Sequence, residues 1–178
     1  ADFLMRRLME KNIASCGGIT IMNTAYPFFR AYEMAEELCG AAKNEMRALE
    51  RAAGHEVDSC WLDFAILHGE QPPTLAQFRA EAYEGVCGSL HFGPFRVDAD
   101  ETEKVSLAAL LAGVRGMCAL PRTKVKELRR VLLYGEEAQR AFLTQLRHLQ
   151  GSEAAMQLPD VPAWKEYEKT LWAEGRTP

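Results

Sequence analysis

Lys43 and Arg47 stand four residues apart near the end of the stretch "AEELCGAAK", with Gly40 and Glu36 on the turns before them. Four residues is about one helical turn, so in a helix these positions share a face. Two cations beside a residue without a side chain could take a triphosphate, because fixed positive charge next to a gap suits an extended polyanion. Spacing alone favours a solvated charged face over this. Gly40 adds a question of its own, since glycine inside a helix costs about 1 kcal/mol relative to alanine and invites a packing or ligand reason.

Other chemistry-bearing residues are dispersed. Cys16, Cys39, Cys60, Cys87 and Cys118 are odd in number, form no C-x-x-C pair and sit among small or apolar neighbours. They read as buried thiols of a reducing cytoplasm, not as a disulfide frame or zinc site. His55, His68, His91 and His148 have no His or Cys partner at ligand spacing, which leaves them as ordinary core or surface residues. Asp63 lies inside an apolar run, where it is either a metal-binding acid or, more simply, the solvent-facing partner of strand alternation. No P-loop, G-x-S-x-G or H-E-x-x-H occurs, so no catalytic residue and no metal ligand is assigned.

The elements that must hold Lys43 follow from hydrophobic period. Residues 2–11 read as a short helix, and "IASCGGITIMNT" as a buried strand. Gly17 and Gly18 mark either a bulge or a place where another backbone or a ligand comes close. From Pro27, apolar Phe28, Tyr32, Ala35, Cys39, Ala42, Met46 and Leu49 recur at steps of three and four, predicting a helix of about six turns that stops at Gly54. "DSCWLDFAILHG" reads as a core strand ending before the breaker "EQPP". Helix, strand, helix, strand suggests half of a ferredoxin-like sandwich, and two strands alone need partners from elsewhere.

After Pro73, Thr74 caps a short helix. "VCGSLHFGPFRVD" suggests two short strands hinged around Gly93 and Pro94. The remainder predicts helices over 103–117, 122–134 and 136–149, a loop over 151–162, and a final helix from Trp164 to Trp172. Val125, Leu128 and Leu132 form an apolar stripe opposite a basic one of Arg122, Lys126, Arg129 and Arg130. The organisation expected is α+β: a partial ferredoxin-like palm over 1–70, a helix with a small hairpin over 71–100, and a mostly helical region over 101–178. With 178 residues, 48% hydrophobic content, net charge −4 and pI about 5.6, the chain supports one sizeable core and no globally basic surface. No apolar run of about 18 residues points to a membrane span.

Together, "CGGITI", "YPFFRAYEMAEELCGAAK" and "SCWLDFAIL" resemble the second half of the polymerase/cyclase palm in the large subunit of type III CRISPR effector complexes and related bacterial proteins. The helix is also similar to that of GGDEF diguanylate cyclases, which follows A-D-x-A-L-Y-x-A-K-x-x-G-R. Ala35 and Glu36 stand at A-D, Ala42 and Lys43 at A-K, and Arg47 at the final R. "CGG" replaces the usual Ser-Ala-Gly, Cys39 and Met46 replace commoner residues, and the family's acidic hairpin is not among these residues. "PRTKVKELRRVLLYG" is similar to a helical segment that follows the palm.

The resemblance implies a β-α-β-β-α-β palm whose first half holds Mg2+ or Mn2+ and a nucleoside triphosphate. It makes Lys43 the residue that neutralises triphosphate charge, Arg47 its second, and Gly18 the glycine of the strand after the hairpin. It also implies a piece of a longer polypeptide, starting at Ala1 without Met, whose complete form binds ATP or GTP and makes a cyclic-nucleotide signal in antiviral defence. This stretch alone, without the acids, carries no catalysis and no cofactor of its own. The partners implied are the N-terminal half of the same polypeptide and other effector subunits, with no membrane. A second reading is a degenerate palm acting as an interaction module, its sheet edge pairing with a partner or with itself. A third is RNA or DNA contact through Arg122, Lys126, Arg129 and Arg130, against the plainer reading of a solvated helix face.

Overall fold

A computed structural model describes residues 7, 10–11, 13–68, 74–85, 88–100, 102–103, 105–117, 121–132, 134–135, 137–142 and 144–145. The helices expected over 2–11 and 164–172 and the loop over 151–162 lie wholly or almost wholly outside the described residues. Nine elements follow in chain order: β1 (Ser15–Met22), α1 (Phe28–Ala53), β2 (Cys60–Leu67), α2 (Leu75–Tyr83), β3 (Glu84–Gly85), β4 (Gly88–Ser89), β5 (Phe95–Arg96), α3 (Leu107–Met117) and α4 (Arg122–Leu132). The architecture is α+β. The chain divides into two compact units, one of Ala1–Glu81, Phe92–Asp100 and Val105–Leu107, the other of Ala82–His91, Glu101–Lys104 and Ala108–Pro178.

The first unit is organised by β1, α1 and β2. The two strands pair directly and in parallel, from Ser15 opposite Cys60 to Met22 opposite Leu67, which requires the crossover that α1 supplies. α1 starts after Pro27, whose fixed φ suits a helix entrance, and ends where Gly54 turns left-handed at φ 74° and donates its N–H to the Glu50 carbonyl at 2.9 Å. The pairing register runs through Gly17 and Gly18 without interruption, so these glycines are not a bulge. A Cβ on Gly18 would stand 2.0 Å from the Ala35 carbonyl oxygen and 2.5 Å from the Cys39 nitrogen. The backbone that comes close is therefore α1 itself. Thr20 fastens the same contact, donating its hydroxyl to the Ala31 carbonyl at 3.2 Å.

The buried face of α1 is Ala31, Met34, Leu38 and Ala42. This corrects the expected stripe: Phe28 and Tyr32 lie on the apolar side by period, yet are 72% and 55% exposed. Small Ala31 and Ala42 share this face with the larger Met34 and Leu38. β2 is buried along nearly its whole length, as an unbroken apolar run should be. Its second neighbour is β5, antiparallel with Trp61 opposite Arg96 and Leu62 opposite Phe95. Phe64 and Phe95 stack with ring centroids 5.8 Å apart.

β5 also corrects an expectation. The strand after Pro94 does not fold back in a hairpin about Gly93; it returns to the main sheet, giving the order β1-β2-β5. The small hairpin is formed earlier, by β3 and β4. Asp98 locks β5 down by accepting from the Cys60 amide at 2.8 Å and from the Arg96 guanidinium at 2.8 Å. Thr74 caps α2 as expected: its hydroxyl accepts from the Gln77 amide at 3.3 Å and donates to the Gln77 side-chain oxygen at 3.2 Å. Glu37 of α1 accepts the Leu75 amide at 2.7 Å.

In the second unit, Leu128 of α4 and Phe142 form a small core with Val131 and Leu132 against it, matching the expected apolar stripe. Residues 137–142 and 144–145 are helical, as the period predicts. α3 begins at Leu107, four residues later than expected, because Ser106 is still bridged to Arg96.

Two glycines of opposite neighbourhood should respond oppositely to alanine. Gly18→Ala drives a Cβ into backbone and should lower the urea midpoint by the equivalent of about 2–3 kcal/mol. Gly40→Ala meets nothing within 4 Å and should raise stability by about 0.5–1 kcal/mol through helix propensity.

Candidate functional site

Lys43 and Arg47 are both exposed on α1, one turn apart. Both act on the thiol of Cys16 in β1, so the cations lie along the side of the helix that borders that strand. Gly40 is exposed with open space where a side chain would be, so no packing contact accounts for the glycine. Gly18 is placed differently. The space off its α-carbon is filled by α1, and packing alone explains the residue without a ligand.

Between the cations and the strand sits a group of sulfur atoms. The Cys16 thiol donates to the Met46 sulfur at 3.6 Å, and the Cys39 thiol to the Cys16 carbonyl at 3.7 Å. Cys60 lies on the opposite face of the sheet, 3.2 Å from the Ser15 hydroxyl. All three thiols are free. Burial pushes the Cys16 thiol above its ordinary pKa, and Cys39 adds to this; Lys43 pulls it down, Cys60 pushes it up and Arg47 pulls it down. Cys16 is thus held as a neutral thiol, and Lys43 is the stronger of the two charges that oppose this.

Arg47 also borders a shallow polar cleft with Asn44, Glu50, Arg51, His55 and Glu56. Acids and bases mix there, and the cleft lies at the C-terminal end of α1, where the helix dipole disfavours anions. Tyr32 and Glu36 lie further along the same side, where a hydrogen bond to the Glu36 carboxylate, then its charge, pushes the Tyr32 hydroxyl pKa up.

Asp63 is neither of the things its sequence position suggested. It is fully buried on β2 and ion-paired with Arg79 of α2, while its other oxygen accepts the Phe64 amide at 2.9 Å. A carboxylate inside a strand covered on both faces must be paired to be tolerated. That rule, applied to the charged residue in "CWLDFAIL" and to Arg79 in "QFRAEA", is the signal by which the pair could have been found. No group of three or more His, Cys, Asp or Glu side chains among the described residues is arranged to hold a metal.

Of the basic residues on α4, Arg122, Lys126 and Arg130 are exposed on the side away from buried Leu128. The side chain of Arg129 lies outside the described residues. Lys124, not among the expected four, pairs with Glu127 at 2.7 Å and lies over the Phe142 ring, which makes it part of the local packing. No helix among the described residues is long and apolar enough to cross a membrane. No protein-family model matches the chain, and no curated protein matches it.

Two measurements follow from this geometry. The pH profile of Cys16 alkylation, read by mass spectrometry from about pH 7 to 10, should have its midpoint above that of free cysteine, and Lys43→Ala should move it higher still. The folded chain holds this proton more tightly than the unfolded chain. The associated stability is therefore full below the unfolded thiol pKa and is lost as pH rises through the folded one. Separately, Arg79→Ala should destabilise by about 3–5 kcal/mol in chemical denaturation by stranding Asp63, while Asp63→Leu with Arg79→Met should recover most of that loss.

Proposed function

We propose that β1, α1 and β2 are the lysine-bearing unit of a palm of the kind found in type III CRISPR large subunits, with its two strands adjacent and not split as in a ferredoxin-like half, and that Lys43 binds the triphosphate of ATP or GTP. The observation that carries this reading is the placement of Lys43. It is solvent-exposed beside open space at Gly40, on the side of α1 that borders the edge of β1, which among the described residues has no second strand partner, with Arg47 one turn beyond. A polyphosphate lying along this side meets two cations and no carboxylate closer than Glu36 and Glu50 on the neighbouring turns.

Phosphoryl transfer additionally needs charge stabilisation at the reacting phosphate, usually from metal ions held by carboxylates. In this proposal that part comes from the other half of the palm, and a cyclic nucleotide is the product class of the whole. The role of the residues described here is to bind and orient. Free thiols at Cys16, Cys39 and Cys60 suit work in the cytoplasm, where thiols stay reduced.

The test is titration of ATP and of GTP, with and without magnesium, against the longest natural form of the chain. Lys43→Ala should weaken binding about five- to tenfold and Arg47→Ala about two- to threefold, with both losses shrinking as salt is raised. Arg122→Ala should leave affinity unchanged. Equal affinities for the parent and Lys43→Ala would sink the nucleotide reading.

A further inference from the structure

The apolar arc of α1 is wider than the sheet that covers it. Phe28, Tyr32, Cys39 and Met46 fall within about 40° of one line along the helix at 100° per residue. Phe28 and Tyr32 are largely exposed, and Cys39 and Met46 are only half-buried. The contacts of Cys16 with Met46 and Cys39 fix where that line points: past β1, toward the open side of the sheet.

The edge of β1 faces the same way. Among the described residues it pairs only with β2. The Ser15 amide bonds back to Ser59, so by strand alternation the N–H groups of Cys16, Gly18, Thr20 and Met22 point outward. An eight-residue edge without charge or proline lacks two of the usual protections against further strand addition. Ile21 stands 52% exposed on it.

We propose that this edge and the uncovered side of α1 pair with the same surface of a second copy of the chain, about a two-fold axis. Antiparallel pairing of β1 with itself is self-complementary and closes the assembly at two. With strands about 4.8 Å apart, α1 and its mate stand roughly 10 Å apart on one face of the joined sheet, a normal helix packing distance. The charges agree with this symmetry. Along this side α1 is acidic at Glu36, basic at Lys43 and Arg47, and acidic again at Glu50 near its end. An axis passing near Cys39 and Gly40 therefore sets Glu36 of each copy against Lys43 of the other, and Tyr32 against Arg47. Gly18 lies beneath Ala35 and Cys39, so the same axis crosses the strand close to Gly17 and Gly18, leaving residues on both sides to pair. The pairing does not rest on the nucleotide reading, and it makes its own demand: a polyphosphate on Lys43 competes with Glu36 of the second copy.

Sedimentation equilibrium of the whole chain should give a monomer and dimer and nothing larger. Glu36→Lys and Lys43→Glu should each weaken the dimer about tenfold, and the double variant, which restores opposite charges across the axis, should return most of the affinity. Ile21→Lys should weaken it by placing charge on the edge, and hydrogen exchange should slow at Cys16, Gly18 and Thr20 as concentration rises. A chain that stays monomeric at its solubility limit, one that assembles without end, or a dimer indifferent to the charge swap would each overturn the proposal.

Discussion

The rest of the first unit depends on one close approach, that of the α1 backbone to β1 at Gly18. Because a Cβ there would overlap main-chain atoms of Ala35 and Cys39, the helix sits lower over β1 than ordinary side chains would permit. From this follow the Thr20 hydroxyl reaching the Ala31 carbonyl and the grouping of Cys16, Cys39 and Met46 at the helix border. Lys43 owes its position to the same contact: with α1 fixed against the strand, its ammonium projects beside the strand edge instead of over the core.

A second constraint acts at the other side of β2. The central strand is covered on both faces, and the charged groups that enter this region are each matched. Asp63 takes Arg79, and Asp98 takes Arg96 together with the Cys60 amide. These pairs do not make the sheet stable in the way apolar burial does, since desolvation offsets most of their attraction. What they add is register. A strand slipped by one residue would leave Asp63 without Arg79 and Cys60 without Asp98, so the polar contacts select one alignment among several that the apolar surface alone would accept.

Much of this was legible in the amino-acid order. Period and punctuation located β1, α1 and β2, the Gly54 stop and the Thr74 cap, because each is decided within a few residues of chain. Faces were harder. The apolar arc of α1 reads as one stripe centred near Phe28 and Cys39, but the sheet covers only its Ala31 to Ala42 flank, and which flank is covered is a tertiary fact. The partner of Asp63 was hidden for the same reason, since Arg79 is sixteen residues away on another element. The strand after Pro94 was misassigned because a short apolar run next to glycine fits a hairpin and an added sheet strand equally well. At the candidate site, the shared face of Lys43 and Arg47 was legible from spacing, whereas the burial of Gly18 under the helix required the packed backbone.

The hydrogen bond from the Leu75 amide to Glu37 bears on the order in which the chain comes together. A first-turn amide of α2 is satisfied by a carboxylate that belongs to a helix 38 residues earlier. That helix presents Glu37 correctly only once it is seated on β1 and β2. α2 is therefore a late addition, templated by a finished crossover unit, and its first turn should open and close with α1 as a single cooperative piece.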